Sequence, residues 1–328
     1  MSTRQRRLRV MGLTVVCVVV IFGAQNWVFG AEYPTRSIEW LVGYGPGGSA
    51  SMGGRIVAQS ASEVLGRPVV IVNKAGAGGA VAAAYVARAK PDGYTLLLYT
   101  AGIKVAPMIR SDVRYKDSDF QPIAMFGIQN WGFIVKADSP WKTVGDLIEY
   151  AKNHPGGVKA TTAGVGTTSD FILRLFNMES GVKIDPVPVK SGAEATQSLL
   201  GRHTSIAVHG VADTKGFVDS GMLRALAVAS EERDPDFPKV PTFKEQGLSK
   251  VVEESIYGIV MPAGVPDEIA KKLSTAFGKA ILDPDVTKTL KQIGFLPVYK
   301  DAEQFAKFLD EKEKVYRRVI KETGMKFD

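Results

Sequence analysis

The sequence predicts an α/β protein with two lobes, each containing a mainly parallel sheet flanked by helices. Short apolar runs typical of buried strands alternate with segments of helical spacing from residue 37 nearly to the C-terminus. Repeated strand–helix units favour parallel sheets that helices cover on both faces. A chain of 328 residues exceeds the usual size of one domain, so two α/β halves are expected.

The first 30 residues have the pattern of a secretory signal. The basic head MSTRQRRLRV carries four arginines and no acid, and an apolar run from Met11 to Ala24 follows it. That run is shorter than the ~20 residues that a membrane-spanning helix needs, which favours a cleaved signal over the alternative of a membrane anchor. The sequence therefore predicts export to the periplasm and removal of residues 1–30.

The charge of the mature chain gives little support to nucleic-acid binding. The full sequence has 41 basic and 34 acidic residues, and removing the four arginines of the signal lowers the formal excess from +7 to 37 − 34 = +3. No nucleic-acid partner is expected. The one cysteine, Cys17, lies inside the predicted signal. Neither a disulfide framework nor a thiolate metal site is therefore expected.

Strand and helix signals of the first half follow in order. SIEWLVGY is an extended apolar run, and the helical stripe of SMGGRIVAQSASEVLG stops at Gly66. PVVIVN and TLLLYT are short enough for buried parallel strands, and GAGGAVAAAYVARAK between them opens a helix.

The same alternation returns after residue 136. TVGDLIEYAKNHPGG is a helix whose Thr143 and Asp146 form a capping pair. Strands VKATTA, PVPV, SIAVHG and LRALAVAS follow, with helices TSDFILRLFNMES and AEATQSLLG among them. The tail holds VEESIYGIVMP, PDEIAKKLSTAFGKAIL, DVTKTLKQIG, FLPVYK and the long helix DAEQFAKFLDEKEKVYRRVIKE.

This order predicts a continuous lobe inserted into a discontinuous one. The first lobe is expected to comprise residues 31–133 plus 254–328, and the second residues 134–253. The two crossings between lobes, near residues 131–136 and 250–256, would act as hinges.

Three turns between a strand and a helix combine glycine with small hydroxyl residues. They are GPGGSAS at 45–51, GVGTTSD at 164–170 and KSGAEA at 190–195. In an open parallel sheet, such turns present backbone N–H groups and the positive end of a helix dipole to a ligand. The pattern favours an anion, especially a carboxylate, and the alternative is that each turn is an ordinary helix cap.

Enzyme signatures are weak. GAGGAV at 76–81 lacks the third glycine of a dinucleotide fingerprint, and TLLLYT ends in Thr100 without the expected acid. Close helix–sheet packing explains those glycines better. No nucleophile elbow or metal-ligand spacing is present, and no cofactor or metal is expected. His209 ends a strand on the presumed cleft side, where ligand contact and a structural role are equally open. A secreted enzyme would have to pair His209 with Ser191.

The ordered set of motifs resembles a known family. YPTRSIEWLVGYGPGGSAS, GRPVVIVNKAGAGGAVAAAYVARAKPDGYTLLLYTAG, GVGTTSD, VKSGAEATQSLLGR, GMLRALAVASEERDPDFPKVPTFKEQGL and IYGIVMPAGVP occur in the family's order. The mature chain resembles the extracytoplasmic solute-binding proteins of tripartite tricarboxylate transporters, the Bug family, over essentially its whole length.

The resemblance implies a Venus-flytrap fold whose lobes close on a small organic carboxylate. One pincer would be Tyr44 to Ser51 and the other Gly166 to Asp170, with donors from Thr100–Ala101, Ser191–Ala193 and residues 209–213 completing the cleft. The ligand-binding residues expected are Tyr44, Gly47, Gly48, Ser49, Ala50, Ser51, Thr100, Ala101, Gly166, Thr167, Thr168, Ser169, Asp170, Ser191, Gly192, Ala193 and His209.

Three departures from the family pattern affect specificity. Ser51 stands where an acid is frequent, Asp170 where histidine is frequent, and His209 where Asp or Asn is common. Asp170 disfavours a second carboxylate nearby, and His209 could supply positive charge when its imidazole is protonated. No ligand of the family can therefore be carried over.

The resemblance also implies the partners. A monomer without catalytic activity is expected to deliver its ligand to the permease subunits of a tripartite tricarboxylate-type transporter. A sensory module that passes the ligand to a signalling receptor would use the same cleft, and the sequence does not discriminate between these two partners.

Overall fold

The structure, a computed structural model, describes residues 33–324. The predicted signal lies outside the described residues, and every element below lies within residues 36–324. The strands are β1 (Ile38–Val42), β2 (Val69–Asn73), β3 (Thr95–Tyr99), β4 (Phe120–Gln129), β5 (Trp131–Lys136), β6 (Lys159–Thr162), β7 (Asp185–Pro188), β8 (Ile206–Gly210), β9 (Leu223–Val228) and β10 (Ser255–Pro262). The helices are α1 (Ser49–Leu65), α2 (Ala80–Val86), α3 (Ala101–Ile109), α4 (Val144–Asn153), α5 (Thr168–Ser180), α6 (Gly192–Leu200), α7 (Lys215–Asp219), α8 (Asp267–Leu282), α9 (Pro284–Gln292) and α10 (Ala302–Thr323).

The strands form two five-stranded mixed sheets. The first has the order β2-β1-β3-β10-β4 and the second β7-β6-β8-β5-β9. In the first, β1 runs parallel to β2 and β3, whereas β10 is antiparallel to β3 and β4. In the second, β6 runs parallel to β7 and β8, whereas β5 is antiparallel to β8 and β9. The two-lobed α/β class is confirmed, and half of the pairings in each sheet are antiparallel.

The chain changes sheets twice. It leaves the first sheet at the end of β4 and enters the second at β5, with only Asn130 between them. It returns between β9 and β10. Both crossings bring an antiparallel strand into a sheet of parallel strands. The lobe boundaries and hinges predicted above stay predictions.

Several elements carry no clear signal in the sequence. Strands β4 and β5 and helix α3 lie in residues 101–136, for which the sequence predicts no element. FLPVYK at 295–300 does not form a strand, although Leu296 and Lys300 make single bridges to Ile128 and Met125 of β4.

Alternation along β1 places its side chains in two separate layers. Trp40 packs edge-on against Phe126 and Phe277, with ring centroids 6.1 and 5.5 Å away. Its neighbour Leu41 belongs to a buried cluster that includes Phe305 and faces α2, α3 and α10. Helices therefore cover both faces of the first sheet, as the buried apolar runs predict.

Helix α10 reaches both lobes. Its Phe305 packs with Tyr99 of β3, at a centroid distance of 6.4 Å. Further along the same helix, Tyr316 packs against Phe171 of α5 at 5.2 Å and donates a hydrogen bond to buried Glu253 at 3.0 Å. The final helix therefore packs against the first sheet with one end and against the helix layer of the second sheet with the other. Among the helices of residues 33–324, none has the length and apolar character needed to cross a membrane.

The glycine-rich segment 76–79 lies where three parts of the chain approach closely. A Cβ on Gly43 would come within 2.5 Å of the Gly79 Cα, and a Cβ on Gly102 within 2.5 Å of the Gly78 carbonyl oxygen. A Cβ on Gly78 would meet the Thr167 methyl group at 2.9 Å. The glycines therefore permit close backbone packing, which is the interpretation preferred in the sequence analysis.

Candidate functional site

A cavity lies where turns from both sheets converge. About 40 Å³ of it is accessible to the centre of a water molecule, which is room for a few waters. Its walls combine small polar residues with three aromatic rings. The lining residues are Tyr44, Gly48, Ser49, Ala50, Thr100, Trp131, Ala163, Thr167, Thr168, Ser191, Gly192, His209, Asp213, Ser255 and Tyr257.

Three helices begin at this cavity without a side-chain cap. The N-cap residues of α1, α3 and α5 are Gly48, Thr100 and Thr167, and none accepts a capping hydrogen bond on its side chain. Of the longer helices that start away from the cavity, α4, α9 and α10 are capped by the side chains of Thr143, Asp283 and Asp301, whereas α8 has no side-chain cap. An uncapped helix start offers N–H donors and a positive dipole end to an acceptor from outside the helix.

Helix α6 differs from these three. The Ser191 hydroxyl accepts a hydrogen bond from the Glu194 N–H at 3.2 Å, so it is an ordinary cap as well as a lining residue. Of the three glycine–hydroxyl turns, this one contains the ordinary helix cap that was the alternative to an anion site.

The turns of the two lobes contact each other around the cavity. The Ser49 hydroxyl donates to Asp213 Oδ2 at 2.6 Å, and the Gly45 N–H donates to the Lys190 carbonyl at 2.9 Å. A Cβ on Gly48 would lie 3.6 Å from the Gly192 nitrogen. The start of α1 therefore lies directly against the start of α6 and the turn after β8.

Tyr44 is fixed at the edge of the cavity. Its hydroxyl donates to the Gly78 carbonyl at 3.1 Å and shares a 2.8 Å hydrogen bond with the Thr100 hydroxyl. Burial raises the pKa of Tyr44 to about 12, although the Thr100 hydrogen bond opposes the shift. The phenol therefore stays neutral at physiological pH and holds the turn after β1 against the start of α3.

Gln129, at the end of β4, hydrogen-bonds to three residues of the cavity wall. It is fully buried, and its side-chain oxygen accepts hydrogen bonds from Trp131 Nε1 at 3.2 Å and the Tyr257 hydroxyl at 3.1 Å. Its amide nitrogen donates to Asp213 Oδ1 at 3.0 Å. Burial raises the pKa of Tyr257. Residues of β4, β5 and β10 and the turn after β8 thus share one network beside the crossing at Asn130.

Some hydroxyl and carboxyl groups of the predicted pincers bind within their own turns. The Ser51 hydroxyl accepts from the Asn73 side chain and donates to the Gly45 carbonyl at 3.3 Å. The Ser169 hydroxyl accepts from the Ala163 N–H at 2.8 Å. These contacts fix the turns but direct the two hydroxyls away from the cavity.

Asp170 is paired inside the second turn. Its Oδ2 accepts from the Gly166 N–H and from Arg174 Nε, both at 2.9 Å, and its side chain is 1% exposed. Arg174 neutralises the charge that the sequence analysis expected to act against a ligand carboxylate.

The structure brings ten of the seventeen predicted residues to the cavity wall. These are Tyr44, Gly48, Ser49, Ala50, Thr100, Thr167, Thr168, Ser191, Gly192 and His209. The other seven lie in the same turns and helix starts but do not line the cavity: Gly47, Ser51, Ala101, Gly166, Ser169, Asp170 and Ala193. Sequence reasoning did not single out Trp131, Ala163, Asp213, Ser255 and Tyr257, although Asp213 lies in the 209–213 stretch that it noted.

Within the described part of the chain, no hydrogen bond joins His209 to Ser191. Its Nε2 lies 3.2 Å from the Thr196 hydroxyl and its Nδ1 lies 3.6 Å from Asp213 Oδ2. This order resembles a nucleophile, base and carboxylate, but Thr196 is buried and does not line the cavity. Residues 33–324 also contain no group of three or more His, Cys, Asp or Glu side chains placed to hold a metal ion.

Comparison with known families matches residues 54–325 to the family described as "Tripartite tricarboxylate transporter family receptor". The chain belongs to this family. A Cupriavidus necator relative, "UPF0065 protein in gbd 5'region", is 36% identical over 306 residues, which cover 90% of this chain and 89% of the relative.

Solved structures agree with this assignment. The periplasmic binding protein BugD superposes with a TM-score of 0.85 at 29% identity, covering 90% of this chain and 99% of BugD. An R. palustris protein solved with adipate gives a TM-score of 0.85 at 28% identity, covering 90% of this chain and 99% of that protein. The Bug-family resemblance and the periplasmic-binding-protein fold are confirmed, and the family is one of solute-binding receptors.

Proposed function

We propose that this chain is exported to the periplasm, holds a small organic carboxylate between its lobes, and delivers it to the membrane subunits of a tripartite tricarboxylate-type transporter. The observation that carries the proposal is the convergence of three uncapped helix starts, α1, α3 and α5, on one cavity.

The donors around the cavity suit a single carboxylate. Within the described part of the chain, no lysine or arginine lines the cavity. An anion must therefore be held by backbone N–H groups, helix dipoles and hydroxyls, chiefly the hydroxyl of Thr168, since the Ser49 hydroxyl donates to Asp213. Charge-assisted hydrogen bonds of this kind contribute roughly 1.5–3 kcal/mol each.

The transport role rests on the family. Its members are receptors of tripartite transporters by description, and one related structure holds adipate, a dicarboxylate. Among the residues that the structure describes, His209 makes no hydrogen bond to Ser191, the pair that a secreted enzyme would need.

A thermal-shift screen of mono-, di- and tricarboxylates, with adipate included, tests the binding role. A ligand at 100 times its Kd stabilises the native state by about 2.7 kcal/mol, which should raise the Tm by several degrees. The bound acid should be recovered unchanged after prolonged incubation. No shift with any acid, or conversion of the acid into a product, would refute the proposal.

The sensory alternative needs a separate test. Ligand-loaded protein used as bait on solubilised membranes of the source organism should retain permease subunits. Retention of a receptor kinase instead would assign the same cleft to signalling.

A further inference from the structure

Asp213 brings an unneutralised carboxylate to the cavity wall. It lies in the turn at Ala212–Thr214, and its side chain is 12% exposed. Its two oxygens accept hydrogen bonds from neutral donors, the Ser49 hydroxyl and the Gln129 amide. Asp170, in contrast, has Arg174 as its counter-ion. Among the described residues, the imidazole of His209 is the only basic group within 4 Å of Asp213.

His209 presents a buried nitrogen beside that carboxylate. Its side chain is 3% exposed, and Nδ1 has no hydrogen-bond partner among the residues that the structure describes. The opposite nitrogen, Nε2, already shares a hydrogen bond with Thr196. A buried polar atom without a partner is costly, so Nδ1 calls for a group that enters the cavity from outside.

Gly192 allows the start of α6 to approach both groups. A Cβ at this position would lie 3.3 Å from both Asp213 Oδ2 and His209 Nδ1, closer than an ordinary side-chain contact. Asp213, His209 and Gly192 all line the cavity, so the two polar groups meet at one part of its wall.

We infer that Asp213 and His209 form a subsite for a hydrogen-bond donor on the ligand, either a hydroxyl or an ammonium group, and that this subsite excludes a second carboxylate. The ligand class is a monocarboxylic acid with such a substituent. The Ser49 hydroxyl already donates one hydrogen bond to Asp213. This contact shows that the carboxylate can accept a hydrogen bond from a hydroxyl group. This inference rests on the proposed function, since the ligand's own carboxylate would bind at the helix starts.

Isothermal titration calorimetry with matched acids tests the subsite. Four homologous series of three to six carbons serve as probes: unsubstituted monoacids, ω-hydroxy acids, ω-amino acids and α,ω-diacids. The tightest ligand should be a hydroxy or amino acid, and the diacid of the same length should bind at least tenfold more weakly. The hydroxy and amino series separate the two possible donors.

The Asp213→Asn variant removes the charge with little change of shape. This substitution should lower the preference for the donor ligand over the matched diacid by at least tenfold. Asp219→Asn, an exposed aspartate on α7 with a side chain 61% exposed, is the matched control and should leave the ratio unchanged.

The outcomes are distinguishable. If no acid of the four series and none of the carboxylate screen binds folded wild-type protein, both the proposed function and the subsite fail. If acids bind but diacids equal or exceed the donor ligands in the wild type, or Asp213→Asn leaves the ratio unchanged, the subsite alone is refuted. The wild-type ranking needs no variant and stands even if Asp213→Asn does not fold.

Discussion

The neighbouring residues Thr168 and Ser169 at the start of α5 direct their hydroxyls to different surroundings. Ser169 is fully buried, and its hydroxyl accepts from the Ala163 N–H, which holds the turn after β6. Thr168 lines the cavity at the uncapped end of the helix. The first residue belongs to the framework of the turn and the second to the proposed carboxylate site.

Thr168→Ala should weaken carboxylate binding at least tenfold, because one hydrogen bond to a charged group contributes roughly 1.5–3 kcal/mol. Calorimetry with the tightest acid of the screen measures the change. Thr289→Ala, at a half-buried position of α9 that does not line the cavity, is the control and should bind like the wild type. Unchanged affinity in Thr168→Ala would remove α5 from the site.

Ser169→Ala should act on stability instead. The Ala163 N–H would lose its acceptor inside the protein, at a cost of about 1–3 kcal/mol. Urea unfolding measures this loss. A variant with unchanged stability but tenfold weaker binding would show that Ser169 contacts the ligand directly.

The sequence predicted those wall residues that belong to a strand–helix turn. Glycine next to Ser or Thr after a buried strand is a local signal, and it located Gly48, Ser49, Thr167 and Thr168. Trp131, Ser255 and Tyr257 lie on strands that enter their sheets antiparallel. Their position depends on pairings between strands far apart in the sequence, for which a single sequence carries no periodic signal.

At the scale of elements, close backbone contact joins β1 to the glycine turn that precedes α2. A Cβ on Gly43 would meet backbone atoms of Gly79 from 2.5 to 3.3 Å away. Backbone atoms cannot rotate aside as a flexible side chain can. Because Gly43 has no side chain, the end of β1 packs directly against the Gly79 backbone. This contact fixes the strand end that leads into the turn at Tyr44.

Gly43→Ala should destabilise the protein by about 1–3 kcal/mol through overpacking, and it should weaken ligand binding because Tyr44 moves with the strand end. Gly216→Ala is the control, since nothing lies within 4 Å of a Cβ there. Urea unfolding and calorimetry measure both variants. Equal behaviour of the two variants would contradict the close contact.

Helix α10 is tied to α3 by an ion pair between a buried lysine and a partly exposed glutamate. Lys104 is 1% exposed and lies 2.7 Å from Glu313 Oε2, with Asp117 as its second partner. Burial alone would lower the pKa of Lys104, but the hydrogen bonds to Asp117 and Glu313 outweigh it and raise this pKa. The hydrogen bond from Lys104 holds the pKa of Glu313 below its usual value of 4.5.

Glu313→Gln should therefore destabilise the protein at pH 7, by on the order of 1 kcal/mol for a partly exposed pair. A lowered folded-state pKa contributes stability that is complete above pH 4.5 and is lost as the pH falls through the folded value. Tm measured from pH 7 to pH 3 should show the gap between wild type and variant closing in acid. A difference in Tm that stays constant with pH would contradict this pairing. The control is Glu311→Gln, at an exposed position of the same helix, and its Tm should equal that of the wild type at every pH.

The type of an element was predictable where the burial of its residues agreed with the period of its apolar pattern. Alternating βα units indicated β1 to β3 and β6 to β9, because parallel strands buried on both faces are short apolar runs. β7 is an exception in burial, since it lies half-exposed at the edge of the second sheet. The run 101–136 was harder to predict, because α3 contains Pro107 and β4 contains Pro122. Proline argues against a helix interior, and tertiary packing overrides that local preference in α3. In β4 the proline lies on an edge strand of the first sheet, where it is tolerated.

At the scale of the whole molecule, a ligand in this cavity would contact both lobes. Its wall takes residues from turns after β1 and β3 in the first lobe and from turns after β6, β7 and β8 in the second. A ligand shifts the arrangement of the lobes only if its contacts differ between arrangements. Donors contributed by both lobes provide that difference, since a carboxylate can reach all of them only when the turns converge.

A crystal structure of the complex with the tightest carboxylate of the screen tests this account most directly. We expect the carboxylate oxygens within roughly 3.2 Å of N–H groups at residues 49–50 and 168–169, with the remaining polar group of the ligand beside Asp213. A ligand bound to one lobe only, or a carboxylate placed away from the starts of α1 and α5, would contradict it.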